Sequence, residues 1–192
     1  MKKRRIILAS TSPRRKELLE QIGLDFEIMP SAYEEDMHMK MSNARLSEVL
    51  AYGKAVDVAK KVQDGVVIGS DTFVTYNGVR MGKPINKKEA VKMLQTISGQ
   101  WVTIYSGIAI IDTKTKREYI AHEITKVKIK KLVQKEIVTY IKTGEPLDKA
   151  GAFAIQGRGA TFIEKISGCH TNVIGLPLHR LYLGLQKLDI AV

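Results

Sequence analysis

Two adjacent arginines, Arg14 and Arg15, stand at the start of a predicted helix, where positive charge opposes the helix dipole. Ser12 and Pro13 precede them, a combination typical of a helix N-terminus. Each arginine lies four residues before an inward-facing leucine, so both are predicted to share the apolar face. Backbone N–H groups and two guanidinium groups at one helix end suit a phosphate. A solvated basic helix face is the alternative interpretation.

A carboxylate, Asp71, follows the apolar run VVIGS, which predicts a buried strand. A buried carboxylate is costly unless it meets a metal ion, a cation or a backbone cap. Because ligands of α/β proteins collect at the carboxyl ends of strands, Asp71 is a candidate catalytic or metal-binding residue, or else a turn cap. Glu34 and Glu35, in the polar stretch SAYEEDM, could add ligands for magnesium, although exposed loop acids have the same pattern.

Two lysines are further candidates for binding an anion. Lys54 lies between Leu50 and Val58 in an otherwise apolar four-residue series, so it either extends to solvent or points at a ligand. Lys83 stands between a glycine and a proline, where the backbone is stiff, but a solvated loop lysine is the common alternative. The sequence alone does not decide between these two interpretations for either lysine.

Helices and strands alternate along the chain, joined both by crossovers and by hairpins. The predicted strands are RRIILAS, VVIGSDTFVTY, the antiparallel pair VTIYSGIAIID and EYIAHEITKVKIK, and a hairpin within AGAFAIQGRGATFIEKI. The predicted helices begin at Ser12, at about residue 44, at Asn86, at Gln134 and in GLPLHRLYLGLQKL. This order predicts an α/β domain with a mixed sheet and two lobes flanking a cleft.

Composition limits the function classes. The 192 residues, 44% hydrophobic and 27% charged, predict one globular domain over residues 1–192. We expect an intracellular protein, because no apolar run approaches the roughly 20 residues of a membrane span, the N-terminus lacks a signal peptide pattern, and the one cysteine excludes internal disulfides. The net charge of +11 favours polyanionic partners. Because few residues are aromatic, nucleic acid is the less expected of these polyanionic partners.

Five segments, LASTSPRRKELL, GSDTFV, GKP, EPLDKAGAFAIQGRGA and GLPL, resemble the Maf family of nucleotide pyrophosphatases in order and spacing over nearly the whole chain. The resemblance implies the two-lobed α/β fold shared with inosine triphosphate pyrophosphatases, with a mixed central sheet and a long cleft. It also implies cleavage of nucleoside triphosphates between the α and β phosphates. We expect a divalent cation, Mg²⁺ or Mn²⁺, as cofactor and a cytoplasmic location. A homodimer is compatible with the resemblance.

The resemblance also assigns roles to individual residues. Asp71 takes the family's catalytic position, as general base, metal ligand or both, and Glu35 takes an acidic position that could share the metal. The phosphate-binding positions of the family correspond to Ser10, Arg14, Arg15, Lys54 and Lys83. The positions associated with substrate choice are Arg14, Thr72 and Gln156.

The motifs SPRR and DKAGAFAIQG resemble the branch of the family that prefers dTTP and UTP. Phe153 and Ala154 stand where that branch often has tyrosine and glycine. Two alternatives are a pyrophosphatase for purine or modified nucleotides, and a nucleic-acid-binding division regulator, since the Maf name is associated with septum formation. A binder of nucleic acid would not need Asp71, Lys83 and Gln156 together, and its affinity would fall steeply with salt.

Overall fold

Apolar runs form the strands of a mixed sheet in the computed structural model of the protein, which describes residues 4–191. The described strands are β1 (Ile6–Leu8), β2 (Glu27–Ile28), β3 (Val66–Tyr76), β4 (Val79–Met81), β5 (Trp101–Asp112), β6 (Glu118–Ile129) and β7 (Ile163–Ser167). Their order is β2-β1-β3-β5-β6-β7, and β4 pairs with β3. β1 runs parallel to β2 and β3, whereas β4 and β7 run antiparallel to their partners. The predicted mixed α/β architecture is confirmed.

The described helices are α1 (Pro13–Gln21), α2 (Asn43–Ala59), α3 (Lys87–Ile97), α4 (Gln134–Lys142), α5 (His170–Ile174) and α6 (Leu178–Lys187). As predicted, Pro13 opens α1 and Asn86 caps α3 by accepting a hydrogen bond from the backbone N–H of Glu89. The Glu89 carboxylate reaches back to the N–H of Ile85, one residue before the cap. Within residues 4–191 no helix has the length and apolar character needed to cross a bilayer.

Contacts divide the chain into two compact units, which agrees with the two predicted lobes. The first contains residues 4–72, 106–123 and 175–191, and the second contains residues 73–105 and 124–174. Three of the four unit boundaries fall inside β3, β5 and β6, and the fourth follows Ile174. Each unit has its own apolar core.

In the first unit, α2 approaches the strands closely because two facing residues lack side chains. A Cβ on Gly69 would lie 2.3 Å from the Ala51 carbonyl oxygen, and a Cβ on Gly107 would lie 1.8 Å from that of Ser47. Only glycine permits this spacing between helix and strand backbones. The close approach brings Lys54 of α2 to the part of β3 that carries Asp71.

Two predictions need correction. The predicted strand VVIGSDTFVTY is β3, so Asp71 lies within the strand, and its expected position at the carboxyl end of a strand is wrong. The predicted hairpin in residues 150–166 is wrong, because this segment forms 3₁₀ turns at Ala150–Ala152 and Gly157–Phe162, followed by the single strand β7. The Glu145 carboxylate accepts the backbone N–H groups of Arg158 and Gly159, so a side chain supplies the acceptors that a second strand would have provided.

Candidate active site

Two carboxylates of the first unit meet at one ammonium group. The Nζ atom of Lys54 lies 2.6 Å from Oδ1 of Asp71 and 2.6 Å from Oε1 of Glu35. The Asp71 and Lys54 side chains are only 7% and 13% exposed, whereas that of Glu35 is 44% exposed. A buried carboxylate requires such a partner, and the contact of Asp71 is with this cation instead of a turn cap. The Lys54 side chain therefore points inward, which was one of the two interpretations of its four-residue spacing from Leu50 and Val58.

Arg15 is the buried member of the arginine pair, as its place on the inward face of α1 predicts. Its Nε donates to the Gly175 carbonyl at 2.9 Å, one terminal nitrogen donates to Ser10 Oγ at 3.2 Å, and the other donates to Thr72 Oγ1 at 3.4 Å. Arg14, one residue earlier, is half-buried. Arg14 and Arg15 therefore differ in burial, although the sequence pattern predicted the same helix face for both.

Burial lowers the pKa of the Arg15 guanidinium from its usual value. The carboxylates of Asp71 and Glu35 oppose this change, and the neighbouring charge of Arg14 adds to it. Arginine nevertheless stays protonated in proteins. The first unit thus holds Ser10, Arg15, Thr72, Lys54, Asp71 and Glu35 in one connected arrangement of hydrogen bonds, ion pairs and charges.

Lys83 and Gln156 belong to the second unit. The Lys83 ammonium lies 2.6 Å from Oδ1 of Asp148, and both side chains are more than half exposed. The backbone N–H of Gly151 donates to the Gly82 carbonyl at 3.0 Å, which joins the GKP loop to the DKAG loop. This contact fixes the backbone on which Lys83 stands.

Gln156 is exposed and immediately precedes a turn held by Glu145. The Glu145 carboxylate accepts hydrogen bonds from Tyr140 Oη at 2.9 Å and from two backbone N–H groups of the turn at 3.0 Å. Burial raises the pKa of Tyr140, and the adjacent carboxylate raises it further. For Glu145, burial acts to raise the pKa, but the hydrogen bonds from the turn outweigh it, so the net shift is downward. The turn that carries Gln156 is therefore held by a stable anion.

Comparison with protein families decides the family of this chain: the model described as "Maf-like protein" matches residues 5–188. The chain belongs to the Maf family. Its relatives include the "dTTP/UTP pyrophosphatase" of Pelotomaculum thermopropionicum, 47% identical over 97% of this chain and 98% of the relative. A protein of the same description from Acetivibrio thermocellus is 48% identical over 98% of this chain and 97% of the relative. A solved HAM1 protein from Coxiella burnetii aligns over 65% of this chain and 72% of its own, with 16% identity and a TM-score of 0.45.

Two carboxylates of this Maf protein are the candidate side chains for holding a divalent cation. Among the described residues no group of three or more His, Cys, Asp and Glu side chains is arranged to hold a metal. Asp71 and Glu35 nevertheless converge on one positive charge, each using one carboxylate oxygen. Mg²⁺ commonly takes one or two protein carboxylates and completes its shell with water and phosphate oxygens. Two carboxylates are therefore sufficient.

Sequence reasoning missed several polar groups of the Maf site. Ser106 is fully buried and contacts Thr72, but an isolated serine in an apolar strand gives no signal. The carbonyl of Gly175 accepts from Arg15, although the GLPL motif was noted only for its resemblance. Glu145 and Asp148 lie inside EPLDKAG, and their acidic character beside a turn could have indicated them.

Proposed function

We propose that this Maf family member hydrolyses dTTP and UTP to the nucleoside monophosphate and pyrophosphate. The observation that carries the proposal is 47–48% identity, over 97–98% of the chain, to relatives described as dTTP/UTP pyrophosphatases. The buried Asp71–Lys54 pair supports it, because it supplies a candidate base beside a cation. The same proposal places the enzyme in the cytoplasm, which suits a chain with one free cysteine.

Asp71 acts as the general base in this proposal. Its carboxylate takes a proton from a water molecule whose oxygen forms a bond to the α-phosphorus. The bond from that phosphorus to the oxygen bridging to the β-phosphate breaks, and pyrophosphate leaves with the electron pair. Lys54 keeps the buried carboxylate in place, since its ammonium contacts both Asp71 and Glu35. The reaction needs no covalent enzyme intermediate.

Positive charge lowers the barrier by stabilising the departing pyrophosphate. Arg14, Lys54 and Lys83 are proposed to bind the phosphates, and Arg15 and Ser10 contribute from the end of α1. Asp71 and Glu35 would hold a divalent cation, Mg²⁺ or Mn²⁺, together with substrate oxygens. Such a cation supplies charge neutralisation and polarises phosphate oxygens when bound.

Gln156 is proposed to distinguish the base. Its amide offers one acceptor and a donor group, which can pair with the N3–H and O4 of uracil or thymine. Cytosine presents an unprotonated N3 and an amino group, so the amide would have to turn around to pair with it. The turn held by Glu145 limits the positions that Gln156 can take.

The deciding experiment incubates the purified chain with dTTP, UTP, CTP, dATP and GTP in the presence of Mg²⁺, and measures pyrophosphate and monophosphate. We expect equal amounts of both products, with dTTP and UTP turned over faster than CTP. Release of orthophosphate, or no turnover of any triphosphate with Mg²⁺ or Mn²⁺, would contradict the proposal. Faster turnover of purine nucleotides would favour the alternative substrate class.

A further inference from the structure

The hydroxyl of Thr72 has no hydrogen-bonding capacity left for a ligand. Its Oγ1 lies 2.7 Å from Ser106 Oγ, 3.2 Å from the Gly175 carbonyl oxygen and 3.4 Å from a terminal nitrogen of Arg15. A hydroxyl has one donor and two acceptor positions. Since the carbonyl can only accept and the guanidinium can only donate, all three contacts are satisfied together when Ser106 donates to Thr72. All three positions are then occupied by protein atoms.

Thr72 also faces away from the carboxylate beside it. Successive side chains of a strand point to opposite faces, so Ser70 and Thr72 share one face of β3 while Asp71 points to the other. The contacts agree with this alternation. Ser70 and Thr72 both reach the Gly175 carbonyl, whereas Asp71 reaches Lys54 on α2. Thr72 is therefore adjacent to the candidate base in sequence but not in side-chain contact with it.

On this face of β3, Thr72 is the side chain that contacts Arg15. Each of the three nitrogen atoms of the Arg15 side chain makes one hydrogen bond, to the Gly175 carbonyl, to Ser10 or to Thr72. A guanidinium is planar, so three acceptors in different directions hold it in one orientation. Its two remaining N–H bonds are then aimed in fixed directions. Loss of the Thr72 acceptor would leave a buried cation with an unmet donor.

We propose that Thr72 and Ser106 are positioning residues that act on the nucleotide through Arg15 and the Gly175 carbonyl, without touching the nucleotide themselves. The inference rests on the proposed pyrophosphatase function. It gives a physical route by which a residue that cannot pair with a base still influences catalysis or substrate choice.

A double-mutant cycle tests the route. The kinetic constants kcat and KM for dTTP, UTP and CTP are measured for the wild type, Thr72→Val, Arg15→Lys and the double variant. We expect Thr72→Val to lower kcat/KM about tenfold, the equivalent of one lost charge-assisted hydrogen bond. Thr72→Ser, which keeps the hydroxyl, should restore most of the rate. In the Arg15→Lys background the Thr72→Val effect should shrink to less than about twofold, because the planar fork is already gone.

Additive effects of the two substitutions would overturn the inference, since Thr72 would then act independently of Arg15. Ser47→Ala is the matched control, because Ser47 is also fully buried in the first unit but, among the described residues, its hydroxyl donates to the Ala44 carbonyl of its own helix and not to Arg15 or Gly175. It should leave kcat/KM unchanged. If Thr72→Val does not fold, Ser106→Ala takes its place in the cycle with the same two outcomes.

The wild-type assay separates this inference from the proposed function. Wild-type protein that releases no pyrophosphate overturns the proposed function, and the positioning role with it. An active wild type with additive variants overturns the positioning role alone.

Discussion

The ammonium nitrogen of Lys54 lies 2.6 Å from Oδ1 of Asp71, and this pair joins the middle of α2 to the middle of β3. Gly69 and Gly107 make the contact possible, because a Cβ at either position would collide with the α2 backbone. The same glycines therefore determine where the candidate base lies. A chemical role assigned to Asp71 must accordingly account for both its negative charge and its cationic neighbour.

Replacement of Asp71 by asparagine keeps the shape of the side chain and removes its charge. We expect kcat on dTTP to fall by on the order of 10² to 10⁴, which is the usual contribution of a general base. Circular dichroism should show a folded protein. Asp64→Asn is the control, because its side chain is 59% exposed and should tolerate the change. Near-wild-type turnover by the Asp71 variant would remove the residue from the mechanism.

Replacement of Lys54 by methionine should reduce both stability and activity. The change leaves the Asp71 carboxylate buried without a partner, so the free energy of unfolding should fall by about 3 kcal/mol. Adding Asp71→Asn to this variant should recover part of the stability but none of the activity, since the unpaired charge disappears with the candidate base. Urea unfolding and a pyrophosphate assay measure the two effects.

Lys61→Met is the matched control for Lys54, because Lys61 also pairs with an aspartate but is half exposed. Its free energy of unfolding should change by less than about 0.5 kcal/mol. A Lys54 variant that is as stable as this control would mean that solvent, not Lys54, compensates the Asp71 charge.

The two arginines should differ when each is replaced by alanine. Arg15→Ala removes three hydrogen bonds from a buried group, so we expect it to lower the free energy of unfolding by about 2 kcal/mol and to lower kcat/KM. Arg14→Ala should change stability by less than about 0.5 kcal/mol while raising the KM for dTTP. Thermal melts beside the kinetics test this difference. Unchanged kinetics in both variants would favour a purely structural basic helix end.

Sequence patterns predicted part of this site well, for identifiable reasons. The four-residue spacing of Leu50, Lys54 and Val58 predicted an inward lysine as one option, and the apolar run before Asp71 predicted its burial. Such patterns report which face a side chain occupies. They do not report long-range partners, so the Lys54–Asp71 contact required the structure.

The failures have a common cause as well. Residues 150–166 resemble a hairpin because glycines interrupt apolar residues, but the Glu145 side chain binds the backbone of a 3₁₀ turn at Gly157–Phe162. Ser106 escaped notice because its partner, Thr72, lies 34 residues away. In both cases the contact that matters is with a polar side chain distant in sequence, and local periodicity contains no trace of it.

Asp112 should give the protein a recognisable response to acid. Burial acts to raise the pKa of Asp112, but hydrogen bonds from the Arg4 guanidinium and from Thr115 and Lys114 outweigh it and lower the pKa to about 2. A lowered pKa means that the carboxylate stabilises the fold fully above its unfolded pKa near 4, and progressively less as the pH falls toward 2. This contribution is about 2 kcal/mol at neutral pH.

Urea unfolding of the wild type and Asp112→Asn tests this at several pH values. The difference in free energy of unfolding should be largest above pH 5 and should shrink as the pH falls below 4. Asp64→Asn, which removes the weaker and more exposed partner of Arg4 at 3.3 Å, should show a much smaller difference. A difference that grows on acidification would contradict the assigned sign.

Gln156 should determine how strongly the enzyme prefers dTTP and UTP over CTP. Its amide can accept from the N3–H of thymine or uracil and donate to O4, whereas cytosine would require the reversed amide. We therefore expect Gln156→Ala to narrow the ratio of dTTP to CTP turnover more than it lowers the best rate. The ratio of kcat/KM values for the three pyrimidine nucleotides measures this preference.

A structural role for Gln156 in the turn at Gly157 makes a different prediction. Gly157 has a φ of +63°, which favours glycine, and a Cβ there would lie 2.7 Å from Oε2 of Glu145, so the turn lies directly against this carboxylate. If Gln156 has this structural role, Gln156→Ala would lower the melting temperature and leave the three relative rates unchanged. Glu145→Gln is the informative companion, because it weakens the turn directly while the Gln156 amide stays in place. If Gln156→Ala reproduces the effects of Glu145→Gln on stability and on relative rates, Gln156 supports the turn, and base selection must come from another residue.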